Sequence, residues 1–151
     1  MTSINALRGG ILAPALSFLE RGDVERAYKA YRLIRKRDPR NAGIIFNFAN
    51  ALTARGMAKA AEAEYREALR IEPNALDVLN NLASVVSEQG RYEEALALCE
   101  KGLAQKPEHQ ALLRTRGVQL LQLQKLDAAL KDAEKLIKLA PKMPDAYNLR
   151  G

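Results

Sequence analysis

The single cysteine and the single histidine of the 151-residue chain, Cys99 and His109, are the side chains best suited to nucleophilic or metal chemistry. A nucleophile needs a base within hydrogen-bond reach, and a structural zinc ion needs a set of thiolate or imidazole ligands. One of each builds neither. Cys99 falls in an apolar helical run (Ala95, Leu96, Leu98, Cys99, Leu103), where a free thiol serves as a small hydrophobe. His109 follows Pro107 and reads as a polar turn residue. The carboxylates Glu93 and Glu94 open a helix, where they complement its dipole rather than converge on a substrate. The expectation is a non-enzyme with no catalytic residue, no metal and no cofactor.

Carboxamides are the other chemistry on offer. Asparagine is a poor helix former, yet Asn47, Asn50, Asn80 and Asn81 all fall in segments of helical spacing. Each side chain has a donor and an acceptor and can pair with both groups of a peptide bond. A row of them suits an extended backbone of almost any sequence. The same groups could instead brace neighbouring helices, and both roles stay open at this point.

The elements that carry these residues follow a repeat. Pro39, Pro73, Pro107 and Pro141 recur every 34 residues, a period that marks a stacked helical array. Aligned on the prolines, the repeats run Arg8–Asn41, Ala42–Ala75, Leu76–His109 and Gln110–Met143, with a partial fifth from Pro144 to Gly151. The eighth column reads Ala15, Ala49, Ala83, Gly117 and Gly151, and the twentieth Ala27, Ala61, Ala95 and Ala129. Small residues of this kind recur where helices approach closely. Bulky residues fill the fourth column (Ile11, Ile45, Leu79, Leu113, Tyr147) and the eleventh (Phe18, Leu52, Val86, Leu120). The fifteenth column, Gly22, Gly56, Gly90 and Gln124, divides each repeat where a helix ends in a left-handed cap. Proline ends the second helix because it lacks an amide donor and disfavours helix before it. Every repeat is therefore a helix hairpin, with no strand expected, and Asn41 is placed to cap the helix beginning at Ala42.

Small residues at columns eight and twenty, Tyr31 and Tyr65 at column twenty-four and proline at thirty-two resemble the tetratricopeptide repeat. The resemblance implies an all-α, right-handed solenoid of stacked helix-turn-helix hairpins forming a single array over residues 1–151. It also implies that the first helix of each repeat lines a concave face. On that face fall Leu12 and Leu16, then Phe46, Asn47 and Asn50, then Asn80, Asn81 and Ser84, then Arg114. These imply a groove for an extended peptide or short helix of a partner protein, with Phe46, Asn47, Asn50, Asn80, Asn81, Ser84 and Arg114 as the peptide-binding set and Leu12, Leu16 and Phe46 as its apolar part. The clamp with which some family members grip chaperone tails is not matched: Phe46, Ala111 and Thr115 stand where it needs cations, so a terminal carboxylate has no charge partner there.

Several positions depart from the pattern. Pro14 either kinks the first helix or sets its start near Ala13. Arg116 takes the column of Phe48 and Leu82, and Gln124 replaces the glycine, so looser packing is expected in the fourth repeat. Cys99 stands where the aromatic sits.

The apolar stretch from Gly9 to Leu19 is interrupted by Pro14 and Ser17 and is too short for a membrane span. A lone cysteine fits a reducing compartment, so a cytoplasmic location is expected. The net charge of +6 is uneven, with Arg26, Lys29, Arg32, Arg35, Lys36, Arg37 and Arg40 crowding the second helix of the first repeat. That run reads as a solvated outer face, and neither nucleic acid nor membrane is expected as a partner. The leading function is a protein-interaction scaffold. Two alternatives stand beside it: a substrate-recruiting region of a larger transferase, and a scaffold that self-associates through its C-terminal end, where the partial fifth repeat leaves the array unsealed.

Overall fold

The computed structural model describes residues 10–139. They form helices and turns, with no strand among the described residues. The helices are α1 (Ala13–Glu20), α2 (Val24–Arg37), α3 (Ala42–Ala54), α4 (Ala58–Ile71), α5 (Leu76–Glu88), α6 (Tyr92–Gln105), α7 (Gln110–Gln122) and α8 (Leu126–Leu139). They pair in sequence as four hairpins. The chain divides into two compact units, Met1–Pro73 and Asn74–Gly151, each holding two of these hairpins. Pro141, the partial fifth repeat and its Tyr147 and Gly151 lie outside the described residues.

The helix boundaries follow local chemistry. Asn41 caps α3 as expected, its Oδ1 accepting from the Ile44 amide at 3.2 Å. Asp23 does the same for α2 through the Arg26 amide at 3.1 Å. α1 starts at Ala13 with Pro14 in its first turn, where the missing amide costs nothing. At the interhelix position φ is +79° at Gly22, +72° at Gly56 and +78° at Gly90. Gln124 takes the same left-handed geometry at +57°, so the fourth hairpin keeps its turn without the glycine.

The small-residue columns sit at the helix contacts. Ala27, Ala61, Ala95 and Ala129 are fully buried, as are Ala15, Ala49 and Ala83. Ile45, Leu79 and Leu113 are inaccessible as expected, whereas Ile11 is 53% exposed. Ile11 lies before the start of α1 at Ala13. Leu12 is corrected in the opposite sense. It is 2% exposed, a core residue and not an apolar surface of the groove, while Leu16 is half-buried.

Candidate peptide-binding site

In the first unit, Phe46, Asn47 and Asn50 lie half-buried on α3. The ring of Tyr65, from α4, is buried, and its hydroxyl donates to Asn50 Oδ1 at 2.6 Å. Thr53 Oγ1 lies 3.1 Å from the same hydroxyl and 3.0 Å from the Ala49 carbonyl, so its one proton serves one of the two. Phe46 packs with its ring centroid 6.1 Å from that of Tyr65. One acceptor of Asn50 is thus committed to its own hairpin. The Asn47 side chain makes no hydrogen bond among the described residues.

In the second unit, Asn80 Oδ1 accepts from Thr115 Oγ1 at 2.8 Å, joining α5 to α7. The Asn80 amide lies 3.5 Å from Asn81 Oδ1, a long and weak contact. Ser84 Oγ donates to the Asn80 carbonyl one turn earlier at 3.2 Å. Arg114, half-buried on α7, stands next to Thr115 in sequence. The structure therefore gathers Asn80, Asn81, Ser84 and Thr115 into one half-exposed polar patch. Thr115 as a hydrogen-bonding member was not legible in the sequence. Its partner lies 35 residues away, and no local pattern marks a threonine for that role.

Three core columns show a coupled exchange between repeats. In the first unit Tyr31 stacks on Phe48 with centroids 4.0 Å apart and donates its hydroxyl to Glu64 Oε2 at 2.6 Å. Burial, together with the Glu64 carboxylate, pushes the Tyr31 phenol well above its usual range. In the second unit the same three columns hold Cys99, Arg116 and Asp132. Arg116 Nε and a terminal nitrogen grip Asp132 at 2.7 and 2.6 Å, and Asp132 is only 4% exposed. The looser packing expected around Arg116 is therefore corrected: a bidentate ion pair fills the space that an aromatic and its acid fill elsewhere. Cys99 is fully buried, and desolvation pushes its thiol up to about 12, with the Arg116 charge opposing weakly. His109 caps α7, its Nδ1 accepting from the Leu112 amide at 3.2 Å, a specific role that "polar turn residue" left out.

No helix among the described residues is long and apolar enough to cross a membrane. No group of three or more His, Cys, Asp or Glu among them could hold a metal ion.

Hairpins with small-residue contact columns and left-handed interhelix turns define an all-α helical repeat of the solenoid class. The tetratricopeptide repeat model matches residues 18–75 and 52–117, and the chain belongs to that family. No curated protein matches the sequence. Among solved structures, it is similar to a tetratricopeptide repeat protein from Parabacteroides merdae, at 26% identity and a TM-score of 0.80, over 92% of this chain and 56% of that one. The chain thus spans little more than half of that relative's length. PilF of Pseudomonas aeruginosa matches at 28% identity and a TM-score of 0.76, over 97% of this chain and 67% of that one. The first tetratricopeptide domain of Spaghetti (RPAP3), bound to an HSP90 peptide, matches at 24% identity and a TM-score of 0.71, over 75% of this chain and 90% of that one.

Proposed function

We propose that this chain is a non-catalytic protein-interaction module whose first-helix faces hold an extended peptide or short helix of a partner protein. The observation that carries this reading is the polar patch of Asn80, Asn81, Ser84 and Thr115, half-exposed on adjacent first helices. Helix propensity gives no reason for such a cluster, and its carboxamides carry the donors and acceptors that pair with a peptide backbone. Phe46, Asn47 and Asn50 offer the same mixture on α3, with Phe46 as an apolar contact, and Arg114 adds a cation beside the patch. Repeat arrays use extended surfaces of this kind for binding. A repeat domain similar to this one is bound to an HSP90 peptide. Here a tail ending in paired carboxylates is a poor ligand, because Phe46, Ala111 and Thr115 supply no charge.

The test is selection of random linear peptides on the intact chain, followed by titration of the enriched sequences against Asn47→Ala and Asn81→Ala. Each substitution should weaken binding by about fivefold or more, roughly one lost hydrogen-bonding pair, without changing the helical circular dichroism. Selection that enriches nothing, or peptides that bind both variants as well as the parent, defeats the proposal.

A further inference from the structure

The cations of α2 read in the sequence as a solvated outer face, but Tyr28 and Tyr31 stand among them on the same helix. Tyr28, Tyr31, Arg32, Arg35, Lys36 and Pro39 line an open cavity of about 630 Å³ in the first unit, to which α3 contributes no residue. Its aromatic floor is held in place. Tyr31 stacks on Phe48, and the Tyr28 ring meets Phe48 edge-on at 5.1 Å. Arg35 is fixed by Glu67 at 2.9 Å, and Glu64, at the cavity edge, is occupied by the Tyr31 hydroxyl. Both acids are thus engaged. Arg32 lies over the Tyr28 ring at 5.7 Å, and neither it nor Lys36 pairs with a carboxylate among the described residues. Arg32, Arg35 and Lys36 line the cavity against the one carboxylate of Glu64, so the field over it is positive.

We propose that this cavity is a second docking site, for an acidic linear peptide segment of a partner that places an apolar side chain against Tyr28 and Pro39, above the buried Tyr31, and carboxylates on Arg32 and Lys36. The volume lies in the range of small-ligand sites, enough to seat a short peptide stretch. Charge complementarity selects the acid. Nucleic acid fits less well, because the Tyr31 face is already covered by Phe48, leaving no row of platforms for successive bases.

The experiment is fluorescence polarisation of the full chain with the labelled peptide Asp-Glu-Phe-Asp-Glu-Leu-Asp. The same peptide with Ser in place of Phe and Leu serves as the apolar control. Arg32→Glu and Lys36→Glu should each weaken binding by about tenfold, as expected when one attractive charge contact becomes repulsive. Lys59→Glu, which makes the same change in net charge at an exposed position of α4 outside the cavity, should leave affinity within about twofold. The serine peptide should bind several-fold more weakly, and Asn47→Ala should have no effect, which separates this site from the one proposed on α3. Equal loss in all three charge reversals would reduce the site to net charge and overturn the proposal, as would no binding or equal binding of the serine peptide. A single-stranded oligonucleotide or phosphatidylserine vesicles that bind more tightly than the peptide and lose that binding in Arg32→Glu would assign the cavity to phosphate instead.

Discussion

The hydroxyl of Tyr65 donates to Asn50 Oδ1 at 2.6 Å, tying the polar face of α3 to the second helix of its own hairpin. Asn50 is therefore both a surface carboxamide and a brace. Tyr65→Phe and Asn50→Ala should each cost about 1 kcal/mol in urea unfolding, and the double variant should cost little more than either single one. Strict additivity would mean that the bond contributes nothing to stability.

The Arg116–Asp132 pair predicts an asymmetry. Asp132→Ala leaves the partly buried Arg116 guanidinium without its carboxylate and should destabilise by about 3 kcal/mol. The third repeat holds Leu82 and Leu98 at the same two columns. Arg116→Leu combined with Asp132→Leu should therefore recover most of that loss, within about 1 kcal/mol of the parent. A double variant as unstable as Asp132→Ala would mean that the fourth repeat requires the charges themselves.

Gln124 holds φ at +57° where the other three hairpins use glycine. A side chain in that region costs about 1 kcal/mol, partly offset by the entropy glycine adds to the unfolded chain. Gln124→Gly should raise the thermal midpoint by a few degrees, and a lower midpoint would show that the glutamine side chain makes compensating contacts.

Cys99 is fully buried with its thiol pushed up to about 12, so at pH 8 it is a protonated core group. A disulfide reagent should modify it at a rate set by opening of the structure and accelerate sharply across the urea transition. Stoichiometric modification within seconds under native conditions would contradict the packing described.

Glu67 is held down to about 2 by hydrogen bonds from Arg70 and Arg35. Its folded pKa lies below the unfolded value, so its contribution is present above about pH 4.5 and is lost as pH falls toward 2. The pair is partly exposed, and solvent screening limits this contribution to about 1 kcal/mol or less. Glu67→Gln should flatten the decline of the thermal midpoint between pH 5 and 2, and an unchanged slope would assign that decline to other carboxylates.

The hairpins were legible in the sequence. Helix starts, the Asn41 cap, the glycine turns and the small-residue columns each depend on a residue's own backbone preference or on neighbours within a turn. The 34-residue period then repeats the same local decision four times. Helical propensity and column size are local quantities, so they survive without coordinates. What the carboxamides do was decided by tertiary structure. Asn50 meets a tyrosine 15 residues away and Asn80 a threonine 35 away. Nothing near either asparagine in sequence announces its partner. Arg116 makes the same point: in its own column it is a polar residue out of place, and only the close approach of α8, which brings Asp132 within 2.6 Å, turns it into the partner of a buried acid. Hydrogen-bond geometry is set to within a few tenths of an ångström by packing, and packing is a property of the folded helices together rather than of any segment alone.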